Sequence, residues 1–110
     1  MGRNEVKNKL NLDPKTIKIK EHSWVAKFAA KKLKAHNVAI VLGATIHLYN
    51  VSRQQFLEND KWVKHEACHL RQFKKNGFII FMIKYVWESV WHGYYNNKYE
   101  EEARLAEEDK

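Results

Sequence analysis

Gly77 interrupts a stretch of chain, residues 61–91, that otherwise has helical character throughout. Upstream, Trp62, Val63, Ala67, Leu70 and Phe73 recur at helical spacing between Lys61 and Asn76, with Asp60 placed to cap the helix. Gly77 stands where a glycine is expected, just past a helix C-terminus. Downstream, Phe78 to Trp91 is apolar nearly all round, relieved by Lys84 and Glu88, and a helix of that kind is expected to be largely buried. A membrane span needs roughly 20 apolar residues, so this second run is too short to cross a bilayer and reads as a buried or interfacial helix. A chain of 110 residues has material for one modest core, and these two helices supply much of it.

The other elements are shorter. Residues 1–15 form a polar, lysine-bearing leader that ends near Asp13-Pro14. It lacks the apolar centre of a secretory signal, which makes a cytoplasmic location the expectation. The alternation of Ile17 and Ile19 predicts a short strand over Thr16 to Lys20. Ser23 can cap a helix in which Trp24, Val25, Phe28, Ala29 and Leu33 share one side and Lys27, Lys31, Lys32 and Lys34 fall largely on the other, ending between Lys34 and Asn37. Val38 to Leu42 and Ala44 to Tyr49 read as a hairpin, or as one strand bulged at Gly43. Asn50 to Asn59 reads as a polar connection, and Tyr99 to Glu108 as a fourth, carboxylate-rich helix after the turn at Asn96-Asn97. The expected fold class is therefore α+β, with about four helices and a short hairpin or small sheet in one domain over residues 16–110. Cys68 is the single cysteine, so no intramolecular disulfide staples the fold.

Charge is unevenly spread. Residues 1–34 hold ten basic and three acidic side chains, and the other 76 hold ten of each, so the whole net charge of +7 lies in the first third. Such a bias can attract nucleic acid or an anionic membrane. A solvated helix face with a loose tail is the plainer reading, and nucleic acid is not the expected partner.

The chemistry-bearing segment is His65-Glu66-Ala67-Cys68-His69. Histidines four apart on a helix lie one turn from each other on one face, where their nitrogens can share one tetrahedral zinc ion. A carboxylate directly after the first histidine can reach a zinc-bound water without ligating the metal, and take its proton as it attacks a carbonyl carbon. Two histidines and a glutamate among Trp62, Val63, Leu70 and Phe73 would be costly to bury without a partner. A catalytic zinc site commonly has three protein ligands. Gln72 and Phe73 follow the second histidine, so the third ligand must come from elsewhere, and Tyr99 to Arg104 is the best region. Asn97 and Glu100 also have the spacing of a capping box, in which Glu100 would serve the helix end instead. Tyr94 can donate to an oxyanion or simply pack, and His47 and His92 read most simply as structural. Arg104 can orient Glu100 or form a surface pair, and Cys68 should point away from the metal as an inert thiol.

The segment His65-Glu66-Ala67-Cys68-His69-Leu70-Arg71-Gln72-Phe73, then Gly93-Tyr94, then Asn97 through Glu100-Glu101-Glu102-Ala103-Arg104, resembles the gluzincin metallopeptidases. More narrowly it is similar to small bacterial zincin-like proteins that carry H-E-x-x-H-x-x-Q-F, an apolar helix, G-Y and N-x-x-E-x-E-A-R. The resemblance covers residues 62–106 and implies a minimal zincin-like fold. It implies His65, His69 and Glu100 as zinc ligands, with Glu102 as runner-up, and Glu66 as general base. Lys98 departs from the proline often found before the second helix, which bears on where that helix starts. The implied activity is zinc-dependent hydrolysis of a peptide bond, with a peptide or protein as substrate or partner. The competing readings are a catalytically silent zinc-binding module that acts through a protein partner, and a basic interaction protein with a coincidental motif. The strand around Ala44 to Tyr49 is a candidate edge for an extended peptide.

Overall fold

The computed structural model describes residues 18–109. Its elements run β1 (Lys18–Lys20), α1 (Trp24–Leu33), β2 (Val38–Leu42), β3 (Thr45–Tyr49), α2 (Arg53–Glu58), α3 (Asp60–Asn76), α4 (Phe78–His92) and α5 (Lys98–Ala106). This is an α+β fold. The expected leader and the start of the first strand lie outside the described residues. No helix among the described residues is long and apolar enough to cross a membrane.

The hairpin reading holds. β2 and β3 pair antiparallel with Ile40 opposite His47, and Gly43 takes a positive φ of 65° in the turn. A Cβ there would also press on the Phe78 ring at 3.2 Å, so the turn needs glycine on both counts. β1 lies parallel to β3 on the other side, giving the order β1-β3-β2. β3 is therefore the central strand, which corrects the expectation that Ala44 to Tyr49 offers a free edge. Among the described residues, the strand with an open edge on the hairpin side is β2.

Residues 53–58, expected within a polar connection, form α2. Ser52 and Gln55 form a full capping box: the Ser52 hydroxyl accepts from Gln55 N at 3.0 Å and Gln55 Oε1 accepts from Ser52 N at 2.9 Å. The S-x-x-Q spacing was legible in the sequence. Phe56, fully buried, is what anchors this short helix to the core. At the start of α3 the cap is Asn59, whose side chain accepts from Trp62 N, and Asp60 is the first helical residue.

The core gathers Val41, Ile46, Leu48, Phe56, Val63, Ala67, Leu70, Phe73 and Phe81, where the inner face of α3 meets the sheet and one stripe of α4. The expectation that the apolar helix would be largely buried fails. α4 buries Phe81 alone; Phe78, Ile79, Ile80, Ile83, Val86, Trp87, Val90 and Trp91 are exposed. α1 buries the small Ala26 and Ala30 against the sheet and turns Trp24 and Phe28 outward. An apolar helix can be covered only by as many neighbours as a small domain has, and among the described residues α4 has none on one side.

α5 packs its Ala103 and Ala106 against Cys68 of α3. Its N-terminus is fixed by Asn97, fully buried, whose amide donates to Tyr85 O and Ser89 Oγ of α4 while its oxygen accepts from Tyr99 N. α3, α4 and α5 are thus tied together around one point.

Candidate metal centre

His65 and His69 project from the same face of α3, one turn apart, with ring centroids separated by 5.1 Å. α5 brings Glu100 against both. Glu100 Oε1 lies 3.1 Å from His65 Nε2 and 3.2 Å from His69 Nε2. One ligand atom from each of the three residues lies within 4.8 Å of the others. The possible capping box at Glu100 does not form. Asn97 caps through Tyr99 N, its own N–H donates to Tyr94 O, and Lys98 N donates to Glu88 Oε1 of α4. That leaves the Glu100 carboxylate to face the histidines. α5 starts at Lys98, so the lysine in place of a proline leaves the helix start intact.

The protons of both imidazoles can be placed from their partners. His65 Nδ1 is 2.7 Å from Glu107 Oε2, a carboxylate that can only accept, so Nδ1 carries the hydrogen. His69 Nδ1 is 2.8 Å from Gln72 Oε1. The Gln72 amide nitrogen donates to Glu102 Oε1 at 2.7 Å and to Tyr99 O at 3.1 Å, which fixes Oε1 as the acceptor toward His69. Neutral imidazoles held this way aim two Nε2 lone pairs at one carboxylate oxygen. Three acceptors converging on one point repel each other unless a proton or a cation sits among them.

The titration directions agree. Burial disfavours the charged form of His65 and His69, but hydrogen bonds and charge from Glu100, with Glu107 on His65, outweigh it and hold both above the ordinary imidazole value. Burial works against ionised Glu100 too, and the two histidines with Tyr85 outweigh it, so its carboxyl lies well below the usual carboxylate range. The donor set of two neutral imidazoles and one carboxylate suits zinc. Zinc bonds of about 2.0–2.2 Å in a tetrahedron set neighbouring donors roughly 3.3–3.5 Å apart, close to the two nitrogen–oxygen separations seen here.

Glu66 is buried beside the cluster, and burial pushes its carboxyl up to about 8. It lines two adjoining cavities, of about 120 and 480 Å³, that also share His65 and Tyr94. Residues of β2 wall the smaller cavity along its length. Tyr94 is half-exposed at the rim, its phenol held above its ordinary value by burial and by Glu100.

Three side chains at the site escaped the sequence reading. Tyr85 of α4 donates its hydroxyl to Glu100 Oε2, and burial holds the phenol protonated. Its signal was faint, a polar tip within an apolar run. Glu107 and Gln72 orient the two histidines. Gln72 sits three residues after His69, and Glu107 two turns after Glu100 on the same face of α5, so helical spacing could have singled out both. Glu102, the runner-up ligand, turns away to Gln72 and Cys68. Cys68 is buried on that far side, as expected, and burial with the Glu102 charge pushes its thiol up to about 12. Arg104 reaches Tyr95, with its guanidinium 4.1 Å from the ring centroid, and makes no hydrogen bond to Glu100. His47 is bonded to Ser23 at 2.8 Å in the sheet, and His92 ends α4 in solvent.

No family model, curated protein or solved structure matches the chain.

Proposed function

We propose that this protein is a zinc-dependent peptide hydrolase of the gluzincin type. The observation that carries the proposal is the convergence of His65 Nε2, His69 Nε2 and Glu100 Oε1, each imidazole locked by an acceptor on its other nitrogen. These three residues would hold the ion, and Glu107, Gln72 and Tyr85 fix their orientation, as partners of metal ligands commonly do. Zinc bound there supplies a Lewis acid that acidifies water and polarises a carbonyl. Glu66 faces the same cavity and is the residue that accepts the proton of an attacking water and passes it to the leaving amine. Tyr94, which lines the same cavity, would donate to the oxygen on which negative charge develops. The edge of β2, unpaired among the described residues, would let an extended peptide pair with main-chain groups beside the site.

A silent zinc-binding module acting through a partner is the second reading, and the small inner cavity, about 120 Å³ against the roughly 300–1,000 Å³ of common ligand pockets, favours it. Metal analysis after zinc supplementation tests what both readings share. About one zinc per chain is expected, and less than a tenth of an equivalent would sink the ligand assignment. Glu66→Gln separates the two readings. It should keep the zinc and lower peptide hydrolysis by about 10²–10⁴-fold. Indistinguishable turnover by wild type and variant would leave the silent module, and loss of zinc from the variant would mean that base and ligand are misassigned.

A further inference from the structure

The sheet has two faces, and α1 shares one of them with the lysines of β1. Ile19 packs into the main core with Ile46 and Leu48, so Lys18 and Lys20, on either side of it, point to the other face. That face is the one α1 covers. Its Ala26 and Ala30 lie against Val38, with Ile40 and Tyr49 beside them, and its cap Ser23 is bonded to His47, the cross-strand partner of Lys20. The His47 imidazole is held below its ordinary value by burial and then by the Lys20 charge, as a nearby ammonium requires. Lys18, Lys20 and the outer side of α1 therefore belong to one surface, across the sheet from the inner face of α3.

That surface is basic and aromatic together. Residues 18–52 hold six lysines and a single acid, Glu21, which accepts a hydrogen bond from Arg53 N at the start of α2. All six lysines are exposed. Trp24 is 74% and Phe28 60% exposed, because the sheet takes the small Ala26 and Ala30 of α1 instead. At about 100° per residue, Lys27, Lys31, Trp24, Phe28 and Lys32 follow one another around an arc of roughly 140°. The Lys32 ammonium sits 5.5 Å from the centre of the Phe28 ring. The two rings thus stand among the lysines, and a merely solvated lysine face gives no reason for them to be there.

The mixture selects the occupant. A second copy docked here would set like charges against each other. A bilayer takes apolar side chains into its acyl boundary and keeps lysines at the headgroups, which needs the two on separate faces of a helix. Here, lowering Trp24 and Phe28 would carry Lys27, Lys31 and Lys32 down with them. A duplex keeps its bases stacked on one another and offers the rings nothing. A single strand satisfies both components, because its phosphates meet lysines and its free bases stack on aromatic rings. We infer that the face formed by β1 and α1 binds single-stranded nucleic acid, with phosphates held by its lysines and bases stacked on Trp24 and Phe28. Charge alone did not single out this partner; the two outward rings do. The binding goes beyond the hydrolase reading and does not rest on it, since none of these side chains belongs to the metal cluster or lines its cavities.

Fluorescence anisotropy of the full chain with a labelled oligo(dT) of about 20 nucleotides tests it, beside a duplex of the same length. The single strand should bind about fivefold or more tightly than the duplex at equal salt. The logarithm of its binding constant should fall against that of salt with a slope of about −2 to −3.5, roughly 0.7 for each of three to five phosphates. Trp24→Ala combined with Phe28→Ala should weaken binding about tenfold or more and leave that slope unchanged. Lys27→Gln combined with Lys31→Gln should make the slope shallower by about 1.4. All four positions are exposed, so circular dichroism and zinc content should stay those of wild type. Should the aromatic pair fail to fold, Phe28→Ser alone takes its place, with a loss of about fivefold. Absence of binding at about 50 mM salt overturns the inference. So does an aromatic variant that binds as tightly as wild type, which would leave adsorption by charge alone, or a duplex bound as tightly as the single strand. An unchanged slope in the lysine pair would place the phosphates elsewhere and overturn it too. Flotation with phosphatidylglycerol vesicles in preference to oligo(dT), abolished by the aromatic pair, would give the face to a membrane instead.

Discussion

Between α3 and α5, Glu66, His69, Gln72 and Glu100 are buried; along α1 and α4, Trp24, Ile79, Trp87 and Val90 lie in solvent. The two regions adjoin, and each reverses the usual placement of its residue type. Buried polar groups are tolerable only when each finds a partner. The α3–α5 interface meets that condition with a closed set of contacts running from Glu107 through His65, Glu100 and His69 to Gln72 and Glu102. The outer faces of α1 and α4 show no comparable compensation among the described residues. The difference teaches that in a small domain polar burial can be completed between two helices, whereas the described residues leave the apolar faces of α1 and α4 uncovered.

The comparison can be broken on α4 itself, where one helix has both a covered and an open side. Phe81→Ala should cost about 3–5 kcal/mol in denaturant unfolding, because the ring is buried against Phe73 and Tyr99. A loss under 1 kcal/mol would mean that α4 is not held to the core as described. Next in size is the chemistry of Cys68. Its thiol is raised from 9.0 to about 12, so near pH 8 iodoacetamide should alkylate it about a thousandfold more slowly in the folded chain than in urea. The sign for stability follows from linkage. A group whose folded value is raised contributes fully below pH 9 and loses that contribution as pH climbs from 9 toward 12. Equal alkylation rates in the two states would show that the α3–α5 interface opens freely.

Glu107→Gln keeps an acceptor near His65 but removes the charge, and should weaken zinc binding about 10–100-fold by competition with a chelator. An unchanged affinity would reduce Glu107 to a surface contact. The smallest effect is expected from Ile83→Ala, within about 0.5 kcal/mol in the same unfolding assay, since that side chain is exposed. A cost like that of Phe81→Ala would show that the outer face of α4 is covered after all.

Much of the fold was legible because its causes are local. Ser23, Gly43, Asn97 and the 3.6-residue period of Val63, Ala67 and Leu70 act within a few residues of themselves, and those elements stand where expected. α2 was missed although its capping box was readable, since six residues carry too little periodicity to stand out against a polar loop. The site was half legible. His65, Glu66 and His69 are joined by helix geometry alone, so their placement on one face follows from spacing.

Which partner each of them meets depends on residues dozens of positions away. Glu100 turns to the histidines and Glu102 to Gln72 because Asn97 and Glu88 fix where α5 begins, and a shift of two residues on a helix changes the direction of a side chain by more than half a turn. In the same way, sequence by itself determined that Phe78 to Trp91 would be an apolar helix, but not that it would lie largely uncovered. Helix formation is decided by neighbours along the chain, whereas burial is decided by which other elements remain to pack against it. Here the sheet and α3 cover one stripe only. The motif His65 to His69 determined the helix face that carries the chemistry; the tertiary structure decided what that face looks upon.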